Sequence, residues 1–467
     1  MPDTSAMWFG PVEGMRGLTH LSLIALHAAM MTTAHLPSSG ALWDAFRRHP
    51  VYSVMQAGGT QVDICLMMSG FLLCHRLLTG EVPSLASLVG KRVLRLWPAM
   101  LLVSAVGLMV GDCWSDGYNE GQPASLRLGG ALLFVNNYLD VATWGSLTMS
   151  LSWSNAVELH CSIALVLLVA AVRSSSAGVE SWARRLRWIL AGAVAAAVAI
   201  RAYLFERASL NIFLLGQSSH LGLLQTDSSY RWLADQYTHV WRTSNSAAHI
   251  GHVYMNGMYN PTHTRFGPYA AGALLACSLV LATSGSGAAA SGAATGEPAG
   301  AAPRRASPAA LVCTASALAN LALPCVPPED EVPLAAQHFA TAALRVLSAA
   351  SAALLLYRAL VPQQHRWASG AARAVLSSRA LAAIGRVSYP SYLLHFRLLE
   401  FLNFSGALGR PAAASEDAAA WVGYMLRLFV TGAALSLAVA ALFQAAVEKP
   451  LAAAVRGGRG ERREKSA

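Results

Sequence analysis

The stretch GLTHLSLIALHAAMMTTAHL (17–36) decides the fold class, because it contains no Asp, Glu, Lys or Arg. A helix of about 20 mainly apolar residues is long enough to cross the hydrocarbon core of a bilayer. Of the 467 residues, 12% are charged and 55% hydrophobic, and the mean hydropathy is +0.43. Soluble globular proteins carry about 25% charged residues. The composition therefore excludes an ordinary cytosolic enzyme, a disulfide scaffold and a disordered chain.

Ten apolar runs are long enough to span a bilayer, and they predict an all-α, polytopic membrane protein. The runs are 17–36, 61–78, 96–111, 150–172, 188–205, 266–284, 308–324, 336–357, 380–402 and 420–447. A shorter run, 129–137, is expected to be re-entrant or to lie at the membrane interface. The chain, 1–467, is predicted to form a single membrane-embedded domain, with a flexible low-complexity cytosolic linker at 283–308 and a basic disordered tail at 449–467.

The distribution of charge predicts the orientation of the chain. When the N-terminus is placed inside, most of the 34 Lys and Arg residues fall in inside segments, and most acidic residues fall outside. Cytoplasmic loops of membrane proteins carry such an excess of Lys and Arg. An even number of spans then places both termini in the cytosol. The net charge of +10 is interpreted as this cytosolic excess, with membrane lipids and not nucleic acid as the partner of the basic tail.

Arg16 and His27 mark the first span as a candidate site. Eleven helical steps turn about 1100°, so the two side chains point to nearly the same side and lie about 16 Å apart along the axis. That separation is close to the reach of an extended pantetheine arm. It suggests an acyl-CoA site with the phosphates at Arg16 and the thioester at His27. The alternative for His27 is a structural histidine that forms a hydrogen bond between packed helices.

Three titratable residues on different spans are predicted at a similar depth, about 10–14 Å below the outer boundary. They are His27, Glu158 and His395. Such a layer suits general acid–base catalysis. Packing could equally use these side chains as interhelical hydrogen bonds.

Two further sets of charged residues lie near the ends of predicted spans. Arg92 and Arg95 in KRVLRLWP (91–98) share one helical face, where they bind phosphate or anchor the chain among lipid headgroups. Asp63 and Arg265 stand at outer span entrances, as part of a binding site or as an interfacial ion pair. The outer-loop histidines have HxxH spacing without a placed third ligand, so no metal is expected.

Eight stretches occur in an order that points to one family. They are GMRGLTHLSLIALH (14–27), VDICLMMSGFLL (62–73), KRVLRLWP (91–98), LLFVNNYLD (132–140), SWSNAVELH (152–160), YNPTHTRFGPYAAGALLA (259–276), GRVSYPSYLLHF (385–396) and VEKP (447–450). Together they resemble the acyltransferase 3 family of integral-membrane acyltransferases. The sixth is similar to the eukaryotic branch, whose members are related to nose-resistant-to-fluoxetine proteins. The resemblance covers nearly the whole chain.

The resemblance implies the transfer of an acyl group, commonly acetyl, from cytosolic acyl-CoA to a hydroxyl of a carbohydrate or lipid acceptor. It ties this activity to His27 and Arg16. Glu158 and His395 occupy the positions of a glutamate and a histidine in the family motifs, and they are expected to orient His27 and stabilise its cation.

On this interpretation the donor phosphates are expected near Arg16, Arg92 and Arg95. The acceptor is expected on the outer side, at Asp63, Trp153 and Arg265. The sequence departs from the family pattern at Asn155, where leucine is usual, and at His160–Ser162, where Gln-Phe-Tyr is usual.

A non-enzymatic transporter or lipid-handling protein on the same scaffold is the rival interpretation, because intramembrane charges serve transport equally well. Transporters usually show inverted repeats, and the sequence contains no convincing repeat. For either function the chain is expected in the endoplasmic reticulum, the Golgi or the plasma membrane.

Overall fold

The computed structural model describes most of the chain. The described residues are 5–33, 35–36, 40–56, 60–110, 124–138, 151–175, 178–208, 259–290, 334–360, 372–412, 415–451 and 453. Within these ranges all regular secondary structure is helical. The predicted all-α class is therefore confirmed for the described part of the chain.

The helices differ in length, and two short ones, α2 and α3, lie between the first two long ones. Their bounds are α1 Ser5–Thr33, α2 Ala41–Arg47, α3 Pro50–Gln56, α4 Gln61–Thr79, α5 Leu85–Val110, α6 Ala124–Leu132, α7 Trp153–Ser174, α8 Val179–Ala208, α9 Thr262–Ala290, α10 Leu334–Leu360, α11 Arg379–Phe404 and α12 Ala418–Phe443. A 3₁₀ turn follows α6 at Asn136–Tyr138, and a π-helical turn follows α12 at Gln444–Glu448.

Long helices lie at every predicted span except 308–324, which falls outside the described residues. In the described part of the chain, six helical segments are long and apolar enough to cross a membrane. They are Gln61–Thr79, Trp153–Ser174, Val179–Glu206, Thr262–Thr283, Ala342–Leu360 and Ala418–Leu451. The long helices α1, α5 and α11 are not in this set. All three carry cationic or imidazole side chains, which lower their mean hydropathy.

Some predicted boundaries differ from the observed ones. Helix α9 continues to Ala290, so it overlaps the first residues of the predicted linker 283–308, and the rest of that linker is not described. The helical backbone after α12 likewise extends through Leu451, into the predicted tail 449–467. Helix α5 begins at Leu85, before the predicted span 96–111, and it contains Arg92 and Arg95, which were predicted to share one helical face.

The described core has three parts. Helices α4, α7, α8, α9 and α10 bury one set of apolar side chains with part of α1, and α1 and α11 pack with α2, α3 and α12 around a second. A third set packs α5 and α6 against α7 and α11. The most extensive helix pairs are α1 with α11 and α4 with α9. The α1–α11 pair carries most of the candidate catalytic residues.

Glycine permits the close approach of α1 and α11. A Cβ added to Gly17 would lie 2.1 Å from the carbonyl oxygen of Leu381, and one added to Gly385 would lie 1.9 Å from that of Glu13. Small residues at helix crossings let backbones approach in membrane proteins. The positions of the two helices relative to each other therefore depend on these glycines.

Gly17→Ala is expected to destabilise the folded protein by about 1–3 kcal/mol, the usual cost of overpacking a close-packed contact. Gly10→Ala is the matched control on the same helix, because the nearest atom to its added Cβ, Ser377 Oγ, is 3.7 Å away. Thermal unfolding of both variants in detergent measures the effect. Equal transition temperatures for the two variants would contradict this account of the crossing.

Candidate active site

A pair of buried histidines joins α1 to α11. His27 Nδ1 and His395 Nε2 are 2.7 Å apart, and the two rings stack with their centroids 4.9 Å apart. His27 is 8% exposed and His395 is fully buried. His395 Nδ1 is 2.6 Å from the backbone carbonyl oxygen of Tyr392. The structure thus brings together two of the three predicted catalytic residues.

The hydrogen-bond partners determine the tautomers of the neutral pair. A carbonyl oxygen can only accept, so His395 Nδ1 carries a hydrogen and donates it to Tyr392. His395 Nε2 is then the acceptor, and His27 Nδ1 must donate to it. His27 Nε2 is therefore left with its lone pair. A neutral imidazole oriented in this way can accept a proton from a hydroxyl group.

A cavity of about 590 Å³ extends along α1 towards this pair. Its described lining includes Arg16, His20 and Leu23 from α1. Four cationic side chains line it, Arg16, Arg95, Arg386 and Lys449, and so do the carboxylates of Glu13, Glu158 and Glu448. The part of the lining with Arg16, Arg386 and Lys449 is called the cation-rich end. His27 and His395 are not among the described lining residues, but His395 contacts two residues that are, His20 and Tyr392.

Arg16 lies at the cation-rich end of this cavity. Its guanidinium Nη1 is 2.8 Å from Glu13 Oε1, and both side chains line the cavity. Helix α1 is continuous from Ser5 to Thr33, so Arg16 and His27 keep the predicted rise of about 16 Å on one face.

Glu158 contacts arginine and not the histidine pair. Its carboxylate forms an ion pair with Arg92, which also approaches Ser162 Oγ at 3.4 Å. Glu158 and Arg95 both line the cavity. The predicted layer of three titratable residues is therefore divided, because the early start of α5 brings Arg92 and Arg95 to the level of Glu158.

The three residues predicted for the acceptor form one buried cluster. Asp63 Oδ1 is 2.5 Å from Arg265 Nη1, and Asp63 Oδ2 is 2.9 Å from Arg345 Nη1. The Arg265 guanidinium lies 5.0 Å from the Trp153 ring centre and 4.0 Å from that of Tyr259. Both Asp63 and Arg265 are fully buried.

Sequence reasoning missed Arg345 and Tyr259 in that cluster. Arg345 lies within the predicted span 336–357, and an arginine inside a membrane span is itself a signal of function. Tyr259 gave no such signal, because its contact with Arg265 depends on the fold. Both residues add cation–π contacts, with Arg345 4.7 Å from the Tyr259 ring centre.

The departures from the family pattern are accommodated by hydrogen bonds between helices. Asn155 Nδ2 is 3.4 Å from the hydroxyl of Tyr389 on α11. His160 Nδ1 is 2.9 Å from Thr262 Oγ1 at the beginning of α9. Ser162 Oγ is 2.9 Å from the Tyr269 hydroxyl on the same helix. These contacts give the substituted residues a structural role in the described structure.

The segment predicted to be re-entrant is attached to the same helices. Asn136 Nδ2 donates to Ser152 Oγ at 2.8 Å, just before α7. Asn137 Nδ2 donates to Thr262 Oγ1 at 2.9 Å. The two asparagines of the LLFVNNYLD stretch therefore connect the 3₁₀ turn to α7 and α9.

A proline in α11 couples this helix to the turn after α12. Pro390 has no N–H, so the carbonyl oxygen of Arg386, four residues earlier, lacks its helical donor. Gln444 Nε2 donates to that oxygen at 2.9 Å. Both Arg386 and Gln444 line the cavity, so this contact shapes its cation-rich end.

A second histidine of α1 was also missed. His20 Nε2 is 2.7 Å from Ser391 Oγ, and the His20 ring meets the His395 ring edge-on at 5.6 Å. His20 and His27 are seven residues apart and therefore share a helix face, which is the signal that could have identified it. Among the residues that the structure describes, no group of three or more His, Cys, Asp or Glu side chains could hold a metal ion.

Comparison with known proteins identifies the family. No curated protein and no solved structure matches the chain. The family model of acyltransferase 3, described as an acyltransferase domain, matches residues 11–444. This match includes the histidine pair, most of the described helices and the cavity lining up to Gln444, whereas Glu448 and Lys449 lie beyond it. The chain therefore belongs to the acyltransferase 3 family, and this membership with its apolar helices indicates an integral membrane acyltransferase.

Proposed function

We propose that the protein moves an acyl group, most simply acetyl, from acyl-CoA to a hydroxyl group of a carbohydrate or lipid acceptor. The hydrogen bond between His27 and His395 is the main support for this proposal, because it leaves His27 Nε2 as a base near a cavity whose lining includes four cationic side chains and three carboxylates. Proton removal by a positioned histidine contributes about 10²- to 10⁴-fold to catalysis.

The proposed topology has ten spans with both termini in the cytosol. In this topology the cation-rich end of the cavity faces the cytosol, where acyl-CoA is available, because Arg16 lies in the first half of α1 and Lys449 follows α12. The resemblance of 259–276 supports a place in the eukaryotic branch. We propose the endoplasmic reticulum, the Golgi or the plasma membrane as its location.

The donor phosphates bind at Arg16 and Arg95 in this proposal. Both side chains line the cavity, and guanidinium groups suit phosphate geometry. Arg92 contributes less directly, because it is paired with Glu158 and is not among the described lining residues. Arg16 is paired with Glu13, so in this proposal it exchanges that carboxylate for a donor phosphate. The rise of about 16 Å from Arg16 to His27 accommodates an extended pantetheine arm.

The chemical step uses the histidine pair. His27 Nε2 takes the proton of the acceptor hydroxyl as its oxygen bonds to the acyl carbon. The bond from this carbon to the CoA sulfur breaks, and the proton passes from His27 to the sulfur. His395 accepts the Nδ1 hydrogen bond of His27 and thereby stabilises the imidazolium that forms. His395 is itself oriented by Tyr392. A relay in which His27 Nε2 carries the acyl group is the other route open to this geometry.

The acceptor binds beside Asp63, Trp153 and Arg265. Asp63 already uses both carboxylate oxygens for arginines, so its role is to hold Arg265 in place. Trp153 and Tyr259 provide the aromatic surface of this cluster, with their ring centres 5.1 Å apart. Aromatic rings that carry a polar group are frequent in ligand sites.

Arg95→Gln is expected to raise the KM for acyl-CoA at least about tenfold with little change in kcat, because hydrogen bonds to charged groups contribute about 1.5–3 kcal/mol. Arg184→Gln is the control, since this exposed cation of α8 pairs with Glu180 and does not line the cavity. The measurement is release of CoA thiol from acyl-CoA by the purified protein at several salt concentrations. An unchanged KM in Arg95→Gln would contradict the donor site.

The same assay separates the enzyme from the rival transporter. An acyltransferase releases CoA thiol in proportion to the acylated product. A transporter or lipid-handling protein would bind or move acyl-CoA or lipid without cleaving the thioester. Absence of thiol release with every acyl-CoA and acceptor extract supplied would contradict the proposed function.

A further inference from the structure

Ser391 and His20 form a second buried pair beside the first one. Ser391 Oγ lies 2.7 Å from His20 Nε2, across the contact between α11 and α1. Ser391 is fully buried and His20 is 3% exposed. A serine hydroxyl within hydrogen-bond distance of an imidazole nitrogen is the arrangement that activates a serine nucleophile.

The pair lies between the cavity and His27. His20 lines the inner part of the cavity, whereas His27 does not. The His20 ring contacts the edge of the His395 ring, and His395 is bonded to His27. Ser391 precedes His395 by one helical turn on α11, so the two side chains share a face. A thioester that enters through the cavity therefore meets His20 before it meets His27, and Ser391 is in contact with His20 without being among the described lining residues.

We propose that Ser391 carries the acyl group as an ester intermediate, with His20 as its general base; this rests on the proposed acyltransferase function. His20 Nε2 removes the hydroxyl proton of Ser391 as Oγ bonds to the acyl carbon. The bond from carbon to the CoA sulfur breaks, and the proton passes from His20 to the sulfur. The products are the Ser391 ester and free CoA thiol.

The second half of the reaction uses the first histidine pair. The acceptor hydroxyl bonds to the acyl carbon of the Ser391 ester as His27 Nε2 takes its proton. The bond from carbon to Ser391 Oγ breaks, and the proton that His27 received returns to Oγ. Each of the two pairs thus performs one half-reaction, and donor and acceptor need not be bound at the same time.

The test begins with full-length His27→Ala, in which the second half-reaction is blocked. The purified variant is incubated with acetyl-CoA and, in parallel, with acyl-CoA donors of increasing chain length. Peptide mass spectrometry is expected to find one added acyl group on Ser391. His20→Ala introduced into the same background is expected to remove this label.

Two serine variants test the nucleophile in the His27→Ala background. Ser391→Ala should lose the label, and Ser391→Cys should carry it as a thioester that neutral hydroxylamine cleaves. Ser436→Ala is the matched control, since Ser436 is also fully buried but donates to the carbonyl of Ala433 on its own helix. It should keep the label on Ser391.

The outcomes distinguish this inference from the function on which it rests. If the wild-type protein releases CoA thiol while Ser391 is never labelled and Ser391→Ala keeps the wild-type rate, the intermediate is refuted and the acyltransferase function stands. If label appears on His27 of the wild-type protein and not on Ser391, the intermediate is likewise refuted. If the wild-type protein releases no CoA thiol with any donor, both the Ser391 intermediate and the acyltransferase function are refuted.

Discussion

His27→Ala is expected to abolish transfer of the acyl group to acceptor while the protein keeps its fold. The loss should reach about 10²- to 10⁴-fold, the contribution of a positioned general base. His395 Nδ1 donates to the Tyr392 carbonyl, and His395 Nε2 accepts from His27 Nδ1. The lone pair of His27 Nε2 therefore stays available to accept the proton of the acceptor. Turnover is measured as acylated acceptor formed by the purified protein.

His160→Ala is the control for this variant. His160 forms a hydrogen bond to Thr262 and is not among the described residues that line the cavity. It should keep most of its turnover. Wild-type turnover in a well-folded His27→Ala protein would remove His27 from the chemistry and leave it as a structural histidine that pairs with His395.

Asp63→Asn is expected to destabilise the protein by about 3–5 kcal/mol, the usual effect of removing one partner from a buried ion pair. The reason is that Asp63 lies between Arg265 and Arg345, and its neutral amide would leave both guanidinium groups buried without this carboxylate. Thermal unfolding and the yield of monodisperse protein in detergent measure the loss.

Asp417→Asn is the matched control for Asp63→Asn. Asp417 is exposed and caps α12 by accepting a hydrogen bond from the backbone N–H of Ala419 at 2.9 Å. Asparagine is an equally good cap, so this variant should unfold close to the wild type. Equal stability of the two variants would show that the Asp63 cluster does not hold α4, α9 and α10 together.

Much of the site on α1 follows from the sequence, because it depends on a single helix. In a continuous helix the spacing of Arg16 and His27 determines that their side chains share one face and how far apart they lie along the axis. Helix α1 is continuous between these residues. Apolar runs of sufficient length likewise predict where long helices lie. Family resemblance placed His395 in the site, and the structure shows that it contacts His27 directly.

Contacts between helices could not be predicted in the same way. The depth of Glu158 was estimated from predicted span ends, but its partner Arg92 depends on where α5 begins and how α5 packs on α7. The pairing of Ser391 with His20 depends on the glycine-mediated crossing of α1 and α11. A single sequence does not specify how two packed helices are aligned along their axes. Residue pairs between helices can therefore be identified only from the folded structure.

The two α1 histidines are polar groups that α1 buries at its contact with α11. Each imidazole is buried against α11 and hydrogen-bonded to a side chain of that helix. Burying a polar group without a partner would cost free energy, and these bonds offset that cost. The close α1–α11 contact therefore serves the stability and the proposed chemistry of the same residues.

The function proposed for this protein is His27-dependent transfer of an acyl group to a hydroxyl acceptor. The most direct test compares glycans and lipids by mass spectrometry from cells that express either wild-type protein or His27→Ala at equal levels. We expect that at least one glycan or lipid class carries one acyl group fewer in the cells with His27→Ala than in the cells with the wild-type protein. Identical acyl masses in the two cell lines would contradict it.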